Sequence, residues 1–127
     1  MRYACDHVHL RSRDAIAAAA FYRDTFGARE VKRVGSDPVE RVVIDLGGLT
    51  VFIEQVGDGV NPAVRTPCLG IEHIGLATDD IEAALTDLTG RGVPVRMGIT
   101  QRGPGLRIAF FEGPDGALIE ILERKDV

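Results

Sequence analysis

Asp6-His7-Val8-His9-Leu10, followed by Asp14, is matched by Glu72-His73-Ile74-Gly75-Leu76, followed by Asp80, at an offset of 73 − 7 = 66 residues. The same offset returns downstream, where Arg41-Val42-Val43 meets Arg107-Ile108-Ala109, Gly47 meets Gly113, and Phe52-Ile53-Glu54 meets Leu118-Ile119-Glu120, since 120 − 54 = 66. Two distant blocks in one register, with matching apolar patterns, indicate a duplicated structural unit, and a repeat of this kind dictates the architecture before any single element does.

Within each copy the periodicities alternate between strand and helix. Residues 4–11 place Val8 and Leu10 on one side and Cys5, His7 and His9 on the other, the period-2 pattern of a half-buried strand. Asp14 then suits a helix N-cap, Ile16, Ala19, Ala20 and Phe21 recur at helical spacing, and Gly27 suits the left-handed residue that ends a helix. Strands are predicted at 29–34, 40–46 and 49–56, the last two joined by Gly47-Gly48 as a tight hairpin. The second copy repeats this order with a strand at 70–77, a helix at 80–90, and strands at 93–97, 106–112 and 116–122, the last hairpin turning at Pro114-Asp115-Gly116. The expected fold is α+β: two tandem β-α-β-β-β modules, about 1–57 and 70–127, forming curved mixed sheet around a metal site. A Gly- and Pro-rich linker, 58–69, joins them within one domain.

Strand parity assigns directions to the repeated polar residues. If Val8, Leu10, Ile74 and Leu76 pack on the helices, His7 and His73 face the opposite side; if Ile53 and Ile119 do, so do Glu54 and Glu120. Each copy therefore offers one imidazole and one carboxylate beside Phe52, Val56, Leu118 and Leu122. Carboxylates in a partly apolar cavity are costly unless paired, and a divalent cation held by His7, Glu54, His73 and Glu120 removes that cost. The N₂O₂ set suits nickel, cobalt, zinc, iron or manganese alike. His9, on the face of His7, is either an alternative ligand or a donor beside the site, and position 9 is Gly75 in the other copy, which favours His7. Arg41 and Arg107 are available to pair with the glutamates instead. Phe52, Phe110 and Leu118 would exclude solvent, and Gly98–Gly105, carrying Arg102, reads as a lid or substrate-contact loop.

Composition closes off other classes. A net charge of −4 with dispersed Lys and Arg argues against nucleic acid as a partner, and no stretch reaches the length of a membrane span. The N-terminus lacks the pattern of a secretory signal and Cys5 and Cys68 have no metal-type spacing, so the chain is expected to be cytoplasmic with reduced thiols.

Asp6-His7-Val8-His9-Leu10 with Asp14 and Phe21-Tyr22, Glu72-His73-Ile74-Gly75-Leu76 with Asp79-Asp80-Ile81, and Gly113-Pro114-Asp115-Gly116 leading into Leu118-Ile119-Glu120 together resemble the vicinal oxygen chelate superfamily of glyoxalase I, acyl-thioester epimerases, extradiol dioxygenases and fosfomycin and bleomycin resistance proteins. The resemblance covers nearly the whole chain and implies a homodimer acting on a small molecule, with the metal on His7, Glu54, His73 and Glu120. The four-ligand set is most similar to glyoxalase I, which implies a lyase or isomerase that moves a proton beside a carbonyl through an enediolate. Glu54 and Glu120 would be the catalytic bases and Arg11 a substrate contact. An epimerase, a dioxygenase and a non-enzymatic drug-binding protein are the alternatives that the same resemblance offers.

Overall fold

In the computed structural model, which describes residues 1–126, each copy of the repeat folds into a four-stranded sheet with one helix on one face. The first unit, Met1–Asn61, contains β1 (Val8–Ser12), α1 (Ala15–Phe26), β2 (Arg29–Val34), β3 (Arg41–Leu46) and β4 (Leu49–Gln55). The second, Pro62–Val127, contains β5 (Ile74–Ala77), α2 (Ile81–Gly90), β6 (Val95–Gln101), β7 (Leu106–Glu112) and β8 (Leu118–Arg124). The sheet orders are β1-β4-β3-β2 and β5-β8-β7-β6, with the first pair of each sheet parallel and the rest antiparallel. The architecture is thus α+β, two β-α-β-β-β modules. No helix among the described residues is long and apolar enough to cross a membrane.

The local signals act where the residues place them. Asp14 and Asp80 cap their helices by accepting from the backbone N–H of Ala17 and Ala83, each at 3.0 Å, and Gly27 ends α1 in the left-handed region at φ 72°. Gly47 and Gly48, at φ 59° and 98°, turn the β3–β4 hairpin in a backbone shape that other residues resist. Ile44, Ile53, Phe111, Ile119 and, on α1 itself, Tyr22 are among the large side chains wholly removed from water, and each such burial contributes roughly 1.5–3 kcal/mol.

Four expectations are corrected. Helix α1 buries Ala15, Ala18, Ala19 and Tyr22, and Ile16 is 43% exposed, so the helix is turned away from the apolar face read in the sequence. Strand β1 begins at Val8, leaving His7 just ahead of it. Strand β6 continues to Gln101, pairing Thr100 with Ile108 and Gln101 with Arg107, so the first half of the expected lid is sheet and only 102–105 form a turn. Strand β8 runs from Leu118 to Arg124, two residues later than predicted, because a single 3₁₀ turn at Pro114–Gly116 intervenes.

That displacement gives β8 a buried acid. Glu123, 2% exposed, accepts the Ile81 N–H at the start of α2 (3.0 Å) and an ion pair from Arg107 (3.0 Å). In the first unit Gln55 does the same for the Ala15 N–H (2.8 Å). The Ile81 bond, with Arg107 assisting, holds the Glu123 carboxyl below its ordinary range despite the opposing effect of burial. A carboxyl shifted down stabilises the fold above its unfolded value, about 4.3, and loses that contribution as pH falls through the folded value. Glu123→Gln, which imitates Gln55, is therefore expected to be less stable than wild type at pH 7, with the gap closing as the medium is acidified through the carboxylate range. Urea unfolding at pH 7 and at pH 3 measures it; a gap of equal size at both would refute the charge-based account.

Candidate metal centre

Both histidines are oriented by the acid that precedes them. His73 Nδ1 donates to Glu72 Oε1 at 3.1 Å and His7 Nδ1 to Asp6 Oδ2 at 2.7 Å. A carboxylate accepts only, so Nδ1 carries a proton, and in the neutral imidazole Nε2 then presents a lone pair, the arrangement by which ligating histidines are usually held. The roles of Asp6 and Glu72 were missed in the sequence, although an acid directly before each histidine, at the shared offset, was the available signal.

In the second unit His73 Nε2 lies 3.7 Å from Glu120 Oε1. That is too long for a hydrogen bond, and with Nδ1 protonated both atoms are acceptors. Two such acceptors facing each other repel unless a proton or a metal cation lies between them. Metal bonds of about 2.0–2.2 Å to His nitrogen and carboxylate oxygen put the two donor atoms roughly 3–3.5 Å apart, so the residues fit a metal with little movement. Phe110 stands edge-on to the His73 ring at 5.0 Å and fixes its plane. Gly75 pairs with Glu120 across β5 and β8, and a Cβ there would stand 3.2 Å from Glu120 Oε1. Gly75→Val is expected to displace the carboxylate and weaken metal binding by about tenfold, the lower end of what disturbing a ligand's support costs, with little change in melting temperature. Competition with a chromogenic chelator reads it, and undiminished affinity would refute it.

The first unit is built differently. Parallel pairing sets Leu10 opposite Ile53 in the first unit and Leu76 opposite Ile121 in the second; the first strands are offset by 66, but the last by 121 − 53 = 68. The register counterpart of Glu120 is therefore Phe52, and that of Glu54 is Leu122. Consistently, His7 stacks on Phe52 at 3.8 Å where His73 faces Glu120. Glu54 pairs with Arg11, four residues beyond His7 and so about 13 Å farther along the strand. Its carboxylate accepts from His9 Nε2 at 2.8 Å and Arg11 Nε at 3.2 Å. The His9 bond, then Arg11, hold its pKa below the ordinary value, against desolvation. Arg41, the expected partner, instead lies over the Phe52 ring at 4.7 Å, and Arg107 pairs with Glu123 and Glu82. Arg102 is exposed in the β6–β7 turn and joins none of these contacts. Among the described residues no three His, Cys, Asp or Glu side chains of one unit form a complete ligand set.

The family described as Glyoxalase/Bleomycin resistance protein/Dioxygenase superfamily matches residues 4–121. The chain is 31% identical over 124 residues to the uncharacterized protein YwbC of Bacillus subtilis (strain 168), covering 94% of this chain and 96% of that one. Its fold is similar to the crystal structure of FosX, a genomically encoded fosfomycin resistance protein from Listeria monocytogenes, with TM-score 0.76, 22% identity and coverage of 96% and 93%. It is also similar to a glyoxalase/bleomycin resistance protein/dioxygenase from Alicyclobacillus acidocaldarius, with TM-score 0.70, 21% identity and coverage of 99% and 96%.

Proposed function

Since the chain belongs to the glyoxalase/bleomycin resistance protein/dioxygenase superfamily, we propose that it is a metal-dependent lyase or isomerase that moves a proton beside a carbonyl of a small substrate. The observation that carries this reading is the pair of acceptors, His73 Nε2 and Glu120 Oε1, facing each other at 3.7 Å with Glu72 behind the imidazole. His73 and Glu120 would hold a divalent nickel, cobalt, zinc, iron or manganese ion, joined by His7, which Asp6 orients in the same way.

A bound divalent cation supplies Lewis acidity and stabilises oxyanion charge on the substrate. The protein supplies the rest. Glu54, kept ionised by His9 and Arg11, is the base that takes the proton. Phe52 and Phe110 flank the two histidines and limit water. In this reading Glu54 serves catalysis without ligating the metal, whereas the repeat offers it as a fourth ligand.

Metal analysis of purified protein, then assay with the methylglyoxal–glutathione hemithioacetal and with acyl thioesters in deuterated water, tests the proposal. Proton exchange or isomerisation that depends on added metal supports it; failure to bind any of the five metals rejects it. The three-ligand set favours a second reading, because two histidines and one carboxylate also suit Fe(II) oxygen chemistry. Oxygen uptake with a catechol under Fe(II) would select that reading.

A further inference from the structure

Arg41 is a partly buried cation without a counter-ion among the described residues. Its Nε is shielded from solvent and has no hydrogen-bond partner among the described residues, and its guanidinium rests on the Phe52 ring at 4.7 Å. The carboxylate that register offers it is Glu54, its direct partner across β3 and β4. Glu54 is in turn the partner of Arg11 across β1 and β4, so Arg11, Glu54 and Arg41 form one row over three adjacent strands, spaced by about 4.8 Å. The single carboxylate turns toward β1, where His9 and Arg11 take it at 2.8 and 3.2 Å. One acid against two guanidiniums leaves this row with an excess positive charge on the Arg41 side, and a buried guanidinium donor left unsatisfied is unfavourable unless something fills it.

We infer that Arg41 is the seat of an anionic group on the substrate, a carboxylate or a phosph(on)ate, received through the guanidinium fork while Phe52 holds the guanidinium plane. The planar fork matches the paired oxygens of such groups, which an ammonium does not. The assignment rests on the small-molecule reading above and narrows it: a substrate anchored at Arg41 presents its reactive carbon beside Glu54, on the adjacent strand of the same sheet face. It needs no metal, because every group involved belongs to the first unit.

The test is therefore made on chelator-treated protein. Calorimetric titration with inorganic phosphate, methylphosphonate and pyruvate, and with neutral hydroxyacetone, is compared in wild type, Arg41→Lys, Arg41→Met and the control Arg96→Met, which removes an arginine already paired with Glu112. The expected result is saturable binding of at least one anion and none of hydroxyacetone. Arg41→Met should weaken binding at least tenfold, Arg41→Lys less, and Arg96→Met not at all. Phosphate and methylphosphonate binding without pyruvate identifies the phosph(on)ate class, and the converse the carboxylate class. Undiminished binding in Arg41→Met, an equal loss in Arg96→Met, or no saturable anion binding by folded wild type would each overturn the inference. Because metal is absent throughout, none of these outcomes bears on the ligand set, which the metal titration tests separately.

Discussion

Replacing His73 by alanine is expected to lower affinity for a divalent metal by about two orders of magnitude or more and to leave the fold intact. The site in the second unit has two donors, and removing the imidazole leaves Glu120 alone there. Disturbing only the group behind a ligating histidine typically costs 10–100-fold, so Glu72→Gln should fall in that interval and His73→Ala beyond it. Stability should hardly change, because the His73 side chain is 30% exposed and its removal leaves no apolar cavity beneath α2. Equilibrium titration with zinc and with nickel, alongside thermal unfolding of metal-free protein, separates the two effects. If His73→Ala binds either metal as tightly as wild type, the 3.7 Å approach of Nε2 to Glu120 has been misread and the proposed chemistry loses its premise.

Much of the fold was legible because its determinants are local. Asp14 and Asp80 announce helix starts by a bond three residues away, Gly47-Gly48 satisfies a turn few other residues can make, and alternation alone assigned Ile53 and Ile119 to the helix side, where both are wholly buried. The departure of the register from the uniform offset of the repeat has one cause. Alternation has period two, so sliding a strand by two residues keeps every side chain on its face while moving it about 7 Å along the sheet. The match of Phe52-Ile53-Glu54 to Leu118-Ile119-Glu120 is sound as a statement about faces, yet the 3₁₀ turn at Pro114–Gly116 moves β8 by two residues, so the register counterpart of Glu120 is Phe52. The bonds that Gln55 and Glu123 make to the first N–H of their helices record the true alignment, and nothing in the period of the sequence could reveal it. The rotation of α1 has a different origin: an alanine-rich helix has several nearly equivalent faces, and Tyr22, wholly buried, decided between them.

The register difference separates two roles for Glu54 that composition cannot distinguish. As a fourth ligand it would contribute to metal affinity and its loss would resemble that of His73. As a base held by His9 and Arg11, it contributes to turnover and leaves the metal in place. Glu54→Gln is nearly isosteric and keeps an oxygen for His9 and Arg11, so the sheet face should survive. It is expected to reduce kcat by 10²–10⁴-fold, the usual contribution of a general base, while metal affinity stays within about twofold of wild type. KM for an anionic substrate should not rise, since Arg41 is untouched and one competing negative charge is gone. Steady-state kinetics on the substrate found by the metal-dependent assays, paired with metal titration of the same preparation, decides the matter: metal affinity falling in step with kcat would return Glu54 to the metal and restore the four-ligand centre.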